Sequence, residues 1–327
     1  MIGDATLAAK LKARLSLPVF GGPMFIASTP ALVIAQCTAG VLGAIPALNL
    51  RSSEALDTAI SDIKSALAAH DAAHPEQPSA PFAVNLVAHH SNDRRHADLE
   101  VILRHEVPVL IVSLAAPDDV VARVHAYGGL VFCDVAADRH ARKCADAGVD
   151  GLVAVCAGAG GHTGRLSPFA FVQEVREWWQ GPLSLAGCIA TGPSILAAEA
   201  MGADFATIGS PFLASEEANT QPGFKQMVVD SAARDVVVTN CFTGVDATFL
   251  RPSLKANGLD PDQLVRQAGD AISIKDGGSN AKAWRDIWSA GQGIGAVRRS
   301  EPAAAFIAAL ARDYAAARAA FAARLNA

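Results

Sequence analysis

The stretch Gly151-Leu152-Val153-Ala154-Val155-Cys156-Ala157-Gly158-Ala159-Gly160-Gly161-His162-Thr163-Gly164-Arg165 joins an apolar run to a glycine-rich turn that carries one histidine. An apolar run without polar alternation predicts a strand covered on both faces, as in a parallel sheet. Ser167-Pro168-Phe169, just after the turn, predicts the start of a helix with proline at its first position. Small residues between a buried strand and a helix leave backbone N–H groups open to a ligand, because no Cβ stands in the way. His162 can also move a proton near neutral pH.

The same unit recurs on both sides. Leu17 to Phe20, Leu42 to Ile45, Phe82 to Leu86, Val109 to Val112 and Leu130 to Cys133 come before it, and Leu183 to Ala186 and Phe205 to Ile208 follow. Each run is short and apolar, and each leads into a helix-like segment. Eight such units in about 200 residues predict an α/β fold of the (β/α)8, or TIM barrel, type. A doubly wound open sheet is the rival, and periodicity does not separate the two. Residues 218–300 carry turns, glycines and the pair Trp284 and Trp288, which predicts an inserted substrate or lid subdomain with the tryptophans in its core. From Pro302 an alanine-rich segment has Phe306, Leu310 and Tyr314 at helical spacing, which predicts a C-terminal helix packed back on the barrel. The expected units are therefore 1–217, 218–300 and 301–327.

Composition narrows the partners. Of 327 residues 51% are hydrophobic and 18% charged, and the net charge is −5, which excludes a disordered chain and offers no basic face for nucleic acid. The six cysteines show no C-x-x-C pair and no metal-ligand spacing, so they read as reduced, mostly buried thiols, with no metal expected. Charges interrupt every apolar run near the N-terminus, and no run of about 18 uncharged apolar residues occurs. The expectation is a soluble cytoplasmic protein acting on a small molecule.

In a barrel the site lies at the C-terminal ends of the strands. The residues there are Gly22, Pro23 and Met24, then Asn85 with His89 and His90 beyond it, then Asp134. The turn with Ala159, Gly160, Gly161 and His162 follows, and then Gly187-Cys188 and Gly209-Ser210. The last two pairs stand where barrels commonly bind phosphate, which predicts a phosphorylated ligand or cofactor. The alternative is that these glycines only turn the chain. His162 is the candidate proton carrier, against a loop histidine that satisfies a carbonyl. Asp134 either caps the next helix or faces the ligand. Cys188 reads as a small packing residue and His89-His90 as a solvated pair.

The sequence also resembles the nitronate monooxygenase family, formerly called 2-nitropropane dioxygenases. The matching pieces are Gly22-Pro23-Met24 with Thr29-Pro30, Ala39-Gly40-Val41-Leu42-Gly43, Val84-Asn85-Leu86 and Ala147-Gly148-Val149-Asp150. They continue in family order through Ala159-Gly160-Gly161-His162-Thr163-Gly164, Leu185-Ala186-Gly187-Cys188-Ile189, Met201-Gly202-Ala203-Asp204 with Ile208-Gly209-Ser210-Pro211-Phe212, and Ala290-Gly291-Gln292. The resemblance implies a barrel holding non-covalent FMN, with its phosphate on backbone around Gly187, Cys188, Gly209 and Ser210. Met24 and Asn85 would lie against the ring system, and Gln292 would approach from the C-terminal part. His162 matches the histidine assigned in the family as catalytic base or substrate-anion partner. The implied reaction is oxidation of an alkyl nitronate with O2 to a carbonyl compound and nitrite. The runner-up is NAD(P)H-dependent reduction of a quinone or enoyl thioester. A barrel that binds a phosphorylated ligand without redox chemistry is the alternative of another class. The expected partners are the substrate and O2, with a homodimer as the assembly to test. Three positions depart from the family pattern: Gly158 stands where Glu is common, Cys188 where a second glycine is usual, and Asp134 where some bacterial members have Lys.

Overall fold

Eight of the apolar runs become parallel strands because both of their faces are covered, one by the barrel interior and one by helices. The computed structural model describes residues 2–117, 120–264 and 283–326. In chain order the barrel elements are α1 (Ala5–Lys12), β1 (Val19–Gly21), α2 (Pro30–Thr38), β2 (Gly43–Pro46), α3 (Ser53–Ala73), β3 (Phe82–Val87), α4 (Arg95–Arg104) and β4 (Val109–Ser113). They continue with α5 (Val121–His125), β5 (Leu130–Val135), α6 (Asp138–Asp146), β6 (Gly151–Val155), α7 (Pro168–Arg176), β7 (Leu183–Ala186), α8 (Gly192–Ala200) and β8 (Phe205–Ile208). Helix starts follow local chemistry: the Thr29 hydroxyl accepts from Leu32 N ahead of Pro30, and Thr191 and Ser194 form a capping box on α8.

Neighbouring strands pair in parallel from β2 through β8, and β8 pairs with β1. The ring closes where Gly21 N donates to Leu42 O and Leu42 N to Val19 O, at 2.7 and 3.1 Å. These bonds exclude the doubly wound alternative, whose sheet has two open edges. Two apolar layers result. Inside the ring Phe20 stacks on Phe205 and meets Phe132 edge-on, with centroids 4.7 and 5.3 Å apart. Ala8 and Leu11 of α1 join this inner cluster. Outside the ring, residues such as Val84, Leu110, Val131 and Leu185 pack under the helices.

The rest of the chain adds α9 (Pro222–Asp230), the antiparallel pair β9 (Val236–Thr239) and β10 (Ala247–Leu250), α10 (Arg251–Ala256) and the long α11 (Ala303–Leu325). Phe242, Phe249, Leu254 and Ile287 form a small cluster of their own, while Phe224, Val228 and Ile294 share a core with Ala27 and Leu213 of the barrel. Trp284 lies in a turn closed by the bridge from Ala283 to Ile287, and Trp288 follows it. In α11, Ile307, Leu310 and Tyr314 are buried in the outer cluster of the barrel, beside Ile195 and Ala198 of α8.

Candidate active site

Strand pleating decides which side chains reach the top of the barrel. Successive residues point to opposite faces, so the inward positions Ala83, Ile111 and Phe132 are each followed two residues later by a polar group. Those groups are Asn85, Ser113 and Asp134, on three adjacent strands. All three line a single cavity of about 860 Å³ at the C-terminal ends of the strands. That volume lies near the top of the range for small-molecule sites, about 300–1,000 Å³.

The sequence-expected residues largely converge there. Gly22, Pro23, Met24, Asn85, Asp134, Ala159, Gly160, Gly161, His162, Gly187, Cys188, Gly209 and Ser210 all line this cavity. Gln292 does not. It is exposed, its backbone N–H donates to Gly158 O at 2.9 Å, and its Oε1 lies 3.7 Å from the Cys188 thiol. His89 and His90 also stand apart, with the His89 ring 2.9 Å from the Ser91 hydroxyl. Asp134 caps no helix: the residue before α6 is Ala137, without a side-chain cap, and Asp134 faces the cavity instead. Cys188 is an exposed residue at the cavity, with its thiol 3.7 Å from Ala157 O.

At the ends of β7 and β8, no carbonyl among the described residues takes the N–H groups of Gly187, Cys188, Gly209 or Ser210. Four unpaired donors at one rim suit an anion. The glycine turn is held from the opposite side: Gln292 N donates to Gly158 O, and a Cβ on Gly291, whose N–H donates to Ser210 Oγ at 2.7 Å, would stand 2.8 Å from Gly160 N. Only glycine permits that backbone approach.

The turn after β6 then runs along β10. Thr248 N donates to Gly161 O and Thr163 N to Asp246 O, at 2.9 and 3.0 Å, which aims His162 at the cavity. No hydrogen bond to the His162 ring comes from any described residue; its neighbour is the edge of Trp284, 5.2 Å between centroids. Burial pushes the His162 pKa below its ordinary value, so the ring is uncharged near neutral pH. Asp134 is shifted the other way. Burial raises it to about 6, against a smaller opposing pull from the Ser113 hydroxyl bond.

Several contributors carry little signal in the sequence. Ser113 follows the fourth apolar run and is signalled only by its distance of two from the inward Ile111. Asn49 ties down the loop after β1, donating to Met24 O and Ser28 O and accepting from Ile26 N, at 3.0, 2.8 and 2.8 Å. Phe25 and Trp284 meet edge-on at 5.9 Å over the cavity. Among the described residues five non-glycines have a left-handed backbone, and four of them, Ile26, Leu114, Cys188 and Trp284, line this cavity. Strained backbone clusters at functional sites, and here it marks the same place as the chemistry. No group of three or more metal-ligating side chains, and no helix long and apolar enough to cross a membrane, occurs among the described residues.

The chain is similar to known proteins. A family model described as nitronate monooxygenase matches residues 8–313. A nitronate monooxygenase of Paraburkholderia phytofirmans is 28% identical, over 90% of this chain and 92% of that one. A Mycobacterium tuberculosis protein named as a monooxygenase is 36% identical over 166 residues; the match spans 50% of this chain and only 44% of that relative. Among solved structures, the nitroalkane oxidase from Streptomyces ansochromogenes superposes with a TM-score of 0.77 at 26% identity, covering 95% of this chain and 99% of that one.

Proposed function

The chain belongs to the nitronate monooxygenase family, and from that premise we propose that its cavity holds FMN and that it oxidises alkyl nitronates with O2 to a carbonyl compound and nitrite. One observation carries the reading: a single cavity has four backbone N–H groups at the ends of β7 and β8 without an acceptor among the described residues, and the uncharged His162 on the turn after β6. The four donors fit a phosphate. The largely apolar body of the cavity, with Met24, Val153, Val155 and Ala186, fits a planar ring system. When bound, FMN supplies an acceptor for two electrons that O2 can regenerate.

The chain's own residues do the rest. As a neutral imidazole, His162 takes the proton from the α-carbon of a neutral nitroalkane or donates its ring N–H to an oxygen of an anionic nitronate. No described carboxylate supports the ring, which would otherwise stabilise an imidazolium. That favours the second role, in which the ring need not become charged. Trp284 and Phe25 shield the ring from water at the mouth. In domain terms, residues 1–217 form the cofactor-binding barrel, 218–300 a substrate subdomain that contributes Trp284 and Trp288 to the wall, and 301–327 the helix behind it. The working partners are the nitronate and O2, and a homodimer is the assembly to test.

O2 uptake with propionate 3-nitronate, set against NADH oxidation with a quinone, separates this reading from the reductase alternative. Purified protein should be yellow. Protein that stays colourless after FMN is added and excess removed ends the flavin reading. His162→Ala should keep FMN and lose turnover by roughly 10²–10⁴-fold, the usual range for a proton-transfer group. With a neutral nitroalkane as substrate, protonation of His162 removes its action as a base, and its lowered pKa moves that loss to more acid pH. The acid limb of kcat/KM should therefore lie below the ordinary histidine value of about 6.5.

A further inference from the structure

Three polar side chains at the top of the barrel form one directed chain of hydrogen bonds. Asn85 Nδ2 donates to Ile111 O at 3.0 Å and to Ser113 Oγ at 2.7 Å. A carbonyl can only accept, so the bond to Ile111 fixes which end of the Asn85 amide points there. With both amide protons spent, Ser113 Oγ is an acceptor from Asn85, and its one proton is directed to Asp134 Oδ2. No hydrogen bond to the other oxygen, Oδ1, comes from a described residue, and Asp134 lines the cavity.

We infer that Asp134 is an acid that holds a proton when the cavity is filled, presenting Oδ1–H to the bound ring system while Ser113 and Asn85 keep Oδ2 as the acceptor. The inference rests on the FMN reading above. A carboxylate in an apolar cavity keeps its charge only if a cation or several donors compensate for lost water. Among the described residues Asp134 has one donor, Ser113. Its strand neighbour in β6 is Val153, and the inward residues of β6 are apolar. The titratable groups sharing the cavity are His140 and Lys143 of α6, Cys144 behind them, His162 after β6, Cys188 after β7 and Arg285, which pairs with Asp286. None makes a hydrogen bond or ion pair with Asp134. Filling the cavity removes the water that still reaches Oδ1, which favours the neutral acid further. With the proton on Oδ1 the acid can hydrogen-bond the ring system, and it can release that proton as negative charge develops there. A cation at the same place would instead stabilise the charge without moving a proton.

If Asp134 is more fully protonated with FMN than without it, FMN binding takes up a proton, and affinity falls as pH rises above about 6. The FMN phosphate titrates in the same range, with a second pKa of about 6, so the measured quantity is the difference between wild type and Asp134→Asn. Asparagine keeps the shape of the neutral acid and cannot titrate. Calorimetric titration of FMN in buffers of different ionisation heat should show greater proton uptake at pH 7 in wild type than in Asp134→Asn. Between pH 6 and 8 the wild-type Kd should rise more steeply, by up to about tenfold per pH unit. Ser113→Ala removes the one bond that favours the charged form, so its uptake should persist to higher pH; this variant carries the test if Asp134→Asn does not fold. Equal uptake and parallel Kd profiles in wild type and Asp134→Asn overturn the inference while leaving FMN binding intact. Protein that binds no FMN at any pH overturns the flavin reading, and this one with it.

Discussion

Gly158 and Cys188 lie 30 positions apart in sequence, and each departs from the family pattern. In the structure the two departures are one contact. Gly158 has φ +83°, and a Cβ placed on it would stand 2.3 Å from Cys188 Sγ and 2.9 Å from Gln292 Oε1. The thiol occupies the space that a side chain at 158 would need, so a longer residue at 158 requires a smaller one at 188. Gly158→Ala should cost roughly 2–4 kcal/mol, from left-handed backbone strain together with the overlap. Adding Cys188→Gly should recover the overlap and leave the strain. A double-mutant cycle read by chemical denaturation should give a coupling of at least about 1 kcal/mol; strict additivity would mean that the two residues do not compete for this space.

At the scale of elements, the cavity depends on loops that strands and helices hold in place. The loop from Gly22 to Ser28 is pinned by one side chain, Asn49, which follows β2 and makes three hydrogen bonds to it. Asn49→Ala strands two carbonyls and an N–H in a partly buried place, at a cost of about 1–3 kcal/mol. It should lower Tm and raise the Kd for FMN together, because Met24 and Ile26 both line the cavity. A fall in Tm with FMN affinity unchanged would show that the loop keeps its shape without this pin. The strands were legible as apolar runs because their burial on two faces leaves no room for polar residues. Their ends were less so. The run at Val109 extends to Ser113 and the run at Leu130 to Val135, since the last inward positions face a cavity and accept polar side chains.

At the scale of the molecule, α11 closes the outer layer. A Cβ on Gly192 would stand 2.1 Å from Tyr314 N, so α8 and α11 touch through backbone, and the Glu217 carboxylate accepts from Ala303 N at 3.0 Å at the start of α11. Burial of Ile307 and Leu310 alone accounts for roughly 3–6 kcal/mol, a large share of the ~5–15 kcal/mol that holds a typical protein folded. Truncation after Pro302 should therefore give aggregated protein or a cooperative unfolding transition shifted far down in temperature. A soluble truncated chain with unchanged Tm would show that the barrel is complete without the helix. Two of the three units expected from sequence also share a core: the cluster around Phe224, Val228 and Ile294 includes Ala27 and Leu213 of the barrel.

The amino-acid sequence by itself determined the eight apolar runs that become the barrel strands and the places where small residues end them at the cavity; closure of the ring was decided by the bonds of Leu42 to Val19 and Gly21. The runs and their ends follow from local rules: two-faced burial demands apolar runs, and turns near a ligand demand glycine. It also brought forward His162, because one histidine in a glycine-rich strand end has few structural duties. Tertiary structure alone decided which groups face one another. Asn85, Ser113 and Asp134 are 28 and 21 residues apart and become one hydrogen-bonded chain only when parallel strands stack in register. Gly158 meets Cys188 and Gln292 for the same reason. A side chain's direction is set locally by the pleat, but what it meets is set by which distant strand the barrel places beside it.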